Sequence, residues 1–163
     1  MSRRKPHRRR RKPPRIRRLA APGTPPGDLK VATDAPRPAI QVVNYSQGEV
    51  VEENIREVSR IKEFLDDTSV TWVDVSGLGD VETLLALSEM FCLHKLALED
   101  VVNVHQRAKV EEYGDHLFIV LRMVSLDDHV HSKQLSMFLG KNFVVTLQEC
   151  PGDCLDPVRD RLR

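Results

Sequence analysis

The hydrophobic residues of this chain follow two different periods from about residue 39 onward. Stretches that alternate apolar and polar residues, or that are rich in β-branched residues, predict strands, whereas apolar residues spaced three and four apart predict helices. Leu84, Leu87 and Phe91 show the helical spacing, and residues 70–75 show the β-branched composition. The pattern predicts strands at about residues 40–44, 49–53, 70–75, 108–113, 116–126, 130–139 and 142–148, and helices at about 56–67, 80–91, 95–102 and from 156 onward.

Polar residues and prolines set the limits of these elements. Asp80 is the predicted N-cap of the helix that follows it, and Asp156 the predicted N-cap of the last helix, with Pro157 in its first turn. That last helix meets no stop signal before Arg163, so the domain is expected to be C-terminally incomplete. Helices mixed with strands, followed by a run of antiparallel strands, predict an α/β (α+β) fold for residues 39–163, in which a mixed, largely antiparallel sheet is flanked by helices.

Residues 1–38 have a different composition, because they contain eight of the ten prolines and few large apolar residues. They are therefore expected to form a disordered extension. Eleven basic residues and no acidic residue lie in residues 1–18, among them Arg8, Arg9, Arg10 and Arg11, while the other 145 residues carry 14 bases and 24 acids, a net charge of −10. This asymmetry indicates an anionic partner for the tail, either lipid or nucleic acid, and a cation-attracting surface on the body.

Several classes of function find little support in the sequence. The chain has no run of roughly 18 apolar residues of the kind that spans a membrane and no signal peptide, so by itself it is expected to be soluble and cytoplasmic. The spacing of Cys150 and Cys154 could supply half of a zinc site, but Cys92, His129 and His131 do not complete it, and free thiols are the expectation. A nucleophile with its base and a phosphate-binding loop are missing as well, which argues against an enzyme.

The helix predicted at residues 95–102 carries two adjacent carboxylates. On a helical wheel, Leu98, Val101 and Val102 form one apolar stripe, Asp100 lies on the opposite side, and Glu99 lies on the flank. The stripe is expected to anchor the helix, which leaves Asp100 free to face solvent or a neighbouring molecule. Carboxylate oxygens are hard ligands suited to Mg²⁺, which often keeps several waters and needs one or two carboxylates. A solvated helix face is the alternative explanation.

Residues 40–163 resemble the cytoplasmic domain of the CorA family of divalent-cation channels. The resemblance rests on pieces that occur in order: WVDVSG at 72–77, LEDVVNVHQR at 98–107, KVE at 109–111, LFIVL at 117–121, QLS at 134–136, GKN at 140–142, TLQE at 146–149 and DPVR at 156–159. Within this framework, His105, Gln106, Arg107 and Lys109 are expected to hold the turn between helix and strand, and Trp72 is expected to lie in the core.

The resemblance implies a homopentamer at the cytoplasmic face of the inner membrane, which transports Mg²⁺ and also Co²⁺ or other divalent cations. In the family, ions bind between neighbouring cytoplasmic domains, and the matching residues here are Asp100 for one site and Glu99 for a second. The partner carboxylates would lie on a stalk helix beyond Arg163, and the transmembrane helices and the Gly-Met-Asn pore motif would lie there too. The implied role is ion sensing, in which bound Mg²⁺ favours the closed pentamer.

Three alternatives remain open at this stage. The chain could be a non-transporting divalent-ion-binding domain or a decoy subunit of a full-length channel. The basic tail could instead define the function, through nucleic acid or anionic lipid. A zinc-transporting relative within the same family is also compatible with the sequence.

Overall fold

A computed structural model describes residues 27, 29–126 and 128–163 of the chain. The arginines at positions 8 to 11, with the rest of residues 1–26, lie outside the described residues. The described part contains seven strands, three α-helices and one 3-10 helix. In chain order these are β1 Ala39–Ser46, β2 Glu49–Ile55, the 3-10 helix Val58–Phe64, β3 Val70–Ser76, α1 Val81–Phe91, α2 Lys95–Val102, β4 Lys109–Tyr113, β5 His116–Leu126, β6 Val130–Leu139, β7 Phe143–Gln148 and α3 Asp156–Leu162.

All seven strands form one sheet in the order β2-β1-β3-β7-β6-β5-β4. β3 and β7 run parallel at the centre, and the other neighbouring strands are antiparallel. The predicted α/β fold with a mixed, largely antiparallel sheet is therefore confirmed. The parallel pair requires a long crossover, and α1, α2 and strands β4 to β6 provide it.

One face of the sheet carries the hydrophobic core. Strand residues such as Val42, Val73 and Phe118 contact the apolar sides of α1, α2 and the 3-10 helix. Successive residues of a strand point to opposite faces, so Trp72 and Asp74 face the other side of β3, where α3 lies. Trp72 is buried, as expected of a core residue.

The α-helix predicted at residues 56–67 is instead a 3-10 helix of seven residues. Val58, Ile61 and Phe64 are spaced by three, and a helix with three residues per turn places them on one side. No side chain caps its start. After its end, the Asp66 carboxylate accepts hydrogen bonds from the amides of Thr68 and Ser69, which turns the chain toward β3.

The end of the chain also differs in detail from the prediction. Leu155, not Asp156, is the N-cap of α3, and no side chain caps this end. Asp156 lies inside the first turn, where its carboxylate binds Arg159 at 2.9 Å and so is committed to the helix rather than to its end. Pro157 lies in the first turn, as predicted.

Residues 29–38 form no helix or strand, but part of this segment packs against the domain. Leu29 and Val31 contact the core, and the Gly79 amide donates a hydrogen bond to the Pro36 carbonyl at 2.8 Å. Gly77, with φ of 104°, allows this approach, since a Cβ there would lie 2.5 Å from the Arg37 carbonyl oxygen. Packing thus begins ahead of the boundary predicted at residue 39. Within the described residues, no helix is both long and apolar enough to cross a membrane.

Candidate functional site

Helix α2 is held to the core by its apolar side. The buried residues of this side are Ala97, Leu98, Val101 and Val102. Glu99 and Asp100 are half-buried on the remaining surface. The anchoring role predicted for the valines is confirmed. Both acidic side chains therefore lie on a helix that cannot rotate without exposing four apolar residues.

The C-terminal end of α2 is further fixed by strand side chains. Gln134 of β6, which is 3% exposed, donates from Nε2 to the Asp100 carbonyl at 2.8 Å and accepts from the Gln106 amide at 3.0 Å. Arg122 of β5 donates to the Val104 carbonyl at 3.0 Å. The bond to the Asp100 carbonyl satisfies a group that the helix end leaves without a partner, and the other two fix the turn that follows α2. Sequence reasoning did not assign Gln134 a role, although its QLS segment belonged to the family resemblance.

The carboxylate of Asp100 has a partner within its own chain. Lys109 Nζ lies 2.5 Å from Asp100 Oδ2 and 2.8 Å from Glu111 Oε2, and the three side chains are between 25% and 39% exposed. The prediction that Asp100 is free to face solvent or a neighbour needs correction, because α2 packs beside β4 and brings Lys109 to it. By pairing with Asp100, Lys109 links α2 to β4 across the turn that it was expected to hold.

The electrostatics of Lys109 and Glu111 favour their charged forms. Partial burial works against the Lys109 ammonium, but its hydrogen bonds to Asp100 and Glu111 outweigh burial and raise its pKa. The hydrogen bond from Lys109 lowers the pKa of Glu111, and Tyr113 adds a second donor at 3.2 Å. The Lys109 ammonium is thus a hydrogen-bond donor shared by Asp100 and Glu111.

Glu99 has different surroundings from its neighbour. Its carboxylate Oε1 accepts a hydrogen bond from the Gly27 amide, and its carbonyl accepts from the Asn103 side chain at 2.8 Å. The structure thus brings Glu99 and Asp100 onto one helix but pairs them with separate donors. The two carboxylates do not converge on a shared partner.

The described residues contain no group of three or more His, Cys, Asp or Glu side chains that could hold a metal ion. The carboxylates of Asp100 and Glu99 have the right chemistry for a divalent cation, but within one chain they provide at most part of a ligand set. His129 and His131 are exposed at the start of β6, and the three cysteines are free thiols.

A second charged cluster lies under α3, and sequence reasoning missed it. Arg159 is 8% exposed and binds Asp74 and Asp153 at 2.6 Å each, while its guanidinium lies 4.9 Å from the centre of the Trp72 ring. Thr146 donates to the other Asp74 oxygen at 2.6 Å. The DPVR segment was part of the resemblance, but no pattern in the sequence predicts the partners of its arginine.

Burial and pairing act in opposite directions in this second cluster. Burial raises the pKa of Asp74, although Thr146 and Arg159 favour its ionised form. For Asp153, the hydrogen bond from Arg159 outweighs burial and lowers the pKa. The same contacts raise the pKa of Arg159. The cluster ties α3 to the parallel strand pair and so fixes the direction in which the chain leaves the sheet.

Comparison with known proteins identifies the family. A family model described as CorA-like Mg²⁺ transporter protein matches residues 67–163. The chain is 41% identical over 153 residues to the cobalt/magnesium transport protein CorA of Thermotoga maritima, a match that covers 90% of this chain and 43% of that protein. The chain therefore spans less than half the length of that relative.

Two solved structures share the fold. The soluble domain of CorA from Methanocaldococcus jannaschii matches with a TM-score of 0.52 at 16% identity, over 74% of this chain and 45% of that one. The full-length CmaX protein matches with a TM-score of 0.61 at 17% identity, over 77% of this chain and 39% of that one. By fold, the chain is an α/β domain of the type found in these proteins. By sequence, it belongs to the CorA-like Mg²⁺ transporter family, as its motifs had indicated.

Proposed function

We propose that this chain forms the ion-sensing domain of a CorA-family magnesium and cobalt transporter, acting by binding and gating rather than by catalysis. In this proposal a divalent cation, either Mg²⁺ or Co²⁺, binds between neighbouring subunits with Asp100 as a ligand. Glu99 contributes to a second cation site. The transporter would be a homopentamer in the inner membrane, with this domain at its cytoplasmic face.

The observation that carries the proposal is the combination of family membership with the rigid presentation of Asp100. Gln134 fixes its backbone, the apolar side of α2 fixes the helix, and the carboxylate is partly exposed beside Lys109. A ligand held in this way binds an ion with little ordering cost. The metal ligands missing from this chain would come from a neighbouring subunit.

The net charge of −10 outside the basic tail suggests how such a site would act. Acidic domains brought together in a ring repel each other, and a divalent ion between them offsets that repulsion. Bound ion would therefore favour the compact, closed arrangement, and loss of the ion would release it. This is a population shift caused by different ion affinities of the two states.

The direct test uses the ¹⁵N-labelled chain and Mn²⁺, a paramagnetic probe that excess Mg²⁺ should displace. We expect amide signals around Asp100 to broaden first, and Asp100→Asn to remove this broadening. Asp67→Asn, which removes an equal charge at an exposed position, is the matched control. Unchanged broadening in Asp100→Asn would show that the site assignment is wrong.

The gating part of the proposal requires an assembled transporter. In a chimera, this chain replaces the matching 43% of the Thermotoga maritima protein. We expect Mg²⁺ to slow proteolysis of the chimera and Asp100→Asn to abolish that protection. If the isolated chain assembles and responds to Mg²⁺ but the chimera does not, the alternative of a non-transporting binding domain or decoy subunit is favoured.

A second candidate activity belongs to the basic tail. Residues 1–18 carry eleven basic residues and no acid, and Arg8 to Arg11 form an uninterrupted run. We infer binding to the anionic lipid surface beside the transporter, which is favoured by roughly 1 kcal/mol per basic residue near a membrane. Vesicles with and without phosphatidylserine, compared with duplex DNA over a range of salt concentrations, distinguish lipid from nucleic acid.

A further inference from the structure

We propose that Lys109 is a tethered competitor for the divalent cation at Asp100, and that its ammonium sets the ion concentration at which the site fills. The inference rests on the proposed function, because it concerns the regulation of the same site. It adds a residue of opposite charge to a site otherwise described through its carboxylates.

The geometry supports competition for one position. Lys109 Nζ lies 2.5 Å from Asp100 Oδ2 and makes a hydrogen bond to it. A divalent ion bound directly to that oxygen would lie at roughly 2.0–2.1 Å, so ion and ammonium cannot share the same lone-pair direction. A positive charge at this distance also repels the incoming ion. Direct cation binding at the Oδ2 position that Lys109 occupies therefore requires the ammonium to move, and binding at the other carboxylate oxygen is weakened by its charge.

The second partner of Lys109 gives the ammonium a place to go. Glu111 Oε2 lies 2.8 Å from Nζ and is itself held by Tyr113. Lys109 and Glu111 are two apart on β4, so their side chains share one face of the strand. When a cation binds Asp100, the Lys109 ammonium stays paired with Glu111. Asp100 thus exchanges the ammonium for the cation, and the ammonium is not left unpaired.

The partial exposure of these side chains makes the exchange feasible. Lys109 is 26% exposed and Asp100 25%, so water can solvate both groups during the exchange. A lysine has a flexible stem and a compact charge, which suits it to release and rebinding. The affinity of the Asp100 site for a divalent cation is then set by the Lys109 ammonium, which is present at one copy per site.

The test compares Mn²⁺ affinity in the full chain for wild type and for Lys109→Met. We expect Lys109→Met to bind Mn²⁺ about tenfold more tightly, since it removes a unit positive charge that repels the incoming ion. Glu111→Gln should bind more weakly, because the ammonium loses its alternative carboxylate partner and depends more on Asp100. Lys141→Met, at an exposed turn position, removes the same charge elsewhere and should leave affinity nearly unchanged.

The direction of the change separates competition from a structural role. If Lys109 merely held α2 in place, Lys109→Met would loosen Asp100 and weaken Mn²⁺ binding, which would overturn the inference. Lys109→Gln, which keeps hydrogen-bonding capacity without charge, should also bind more tightly, and amide spectra of both variants verify folding. Equal affinity in wild type and Lys109→Met also overturns the inference.

These outcomes distinguish the inference from the function on which it rests. If Asp100→Asn abolishes Mn²⁺ binding but Lys109→Met does not tighten it, the proposed ion site stands. The proposal that Lys109 competes for it then fails. If Mn²⁺ broadens no signal near Asp100 in either wild type or Lys109→Met, both proposals fail. Binding detected only in Lys109→Met supports both.

Discussion

Two clusters in this domain are built from the same kinds of charge but differ in burial. Under α3, Arg159 binds Asp74 and Asp153, and all three side chains are less than 10% exposed. Beside α2, Lys109 binds Asp100 and Glu111, and these side chains are 25% to 39% exposed. Each cluster places one cation between at least two carboxylates, so composition alone does not separate them.

The difference in burial assigns them different roles. In the buried cluster no water can replace a lost partner, so the guanidinium and carboxylates must stay together for the fold to persist. In the exposed cluster water and ions can replace any member, so the pairing contributes little to stability but can be exchanged. The first cluster therefore fixes α3, and the second has the exchangeable pairing that the proposed ion site requires.

Removal of the buried cation should have the largest effect and tests whether the buried cluster is structural. Arg159→Met should lower the free energy of unfolding by about 3–5 kcal/mol, because it leaves Asp74 and Asp153 buried without a counter-charge. Urea unfolding at pH 7 measures the loss. Arg161→Met, at an exposed position of the same helix, is the control and should change stability little. Similar effects of the two variants would show that the cluster under α3 is not a structural anchor.

The next largest effect concerns the support of the exposed cluster. Gln134→Leu removes the partners of the Asp100 carbonyl and the Gln106 amide and should cost about 1–3 kcal/mol. Because this change also frees the end of α2, Mn²⁺ binding at Asp100 should weaken. A stability loss without any change in Mn²⁺ affinity would mean that Gln134 supports the fold but does not position the ligand.

A double-mutant cycle gives the coupling within the exposed pair. Combining Asp100→Asn with Lys109→Met should give an interaction of about 0.2–1 kcal/mol in urea unfolding, and 1 M salt should nearly abolish it. The corresponding cycle on Asp153 and Arg159 should give a larger coupling that salt changes less. Equal couplings would remove the distinction between the two clusters.

The smallest effect is a pH dependence next to the exposed cluster. Burial lowers the pKa of His116 below its ordinary 6.5, and its Nε2 is buried without a hydrogen-bond partner in the described part of the chain. The unfolded chain therefore takes up a proton that the folded chain resists, so stability is full above pH 6.5 and falls as pH drops below it. Urea midpoints between pH 7.5 and 5.5 should show this slope.

A variant isolates the contribution of His116 to that slope. His116→Asn should flatten the decline, whereas His131→Asn, at an exposed position, should leave it in place. Retention of the full slope in His116→Asn would assign the pH dependence to another titratable group.

The elements of the fold were predictable because they depend on local periodicity. The limits of α2, β5 and β6 agree closely with the predicted ones, since alternation and helical spacing identify them directly. The segment at residues 56–67 was less predictable, because the spacing of Val58, Ile61 and Phe64 fits a 3-10 helix as well as one side of an α-helix. Without a capping side chain, no local signal distinguished the two.

The candidate site was predictable only in part. The wheel correctly separated the anchoring valines from the acidic residues, because that separation is a property of the helix itself. The pairing of Asp100 with Lys109 depends on how β4 lies against α2, and no residue pattern encodes that. The pairing of Arg159 with Asp74 was even less predictable, since 85 positions separate the two residues in the chain.

The sequence by itself determined the kinds of elements, the side on which α2 is anchored, and, through its motifs, the family to which the chain belongs. These properties follow from local spacing and residue identity. The tertiary structure decided which charges meet and which of them water can reach. The strength of a charge pair depends on distance and burial, and both are set only when distant segments of the chain pack together.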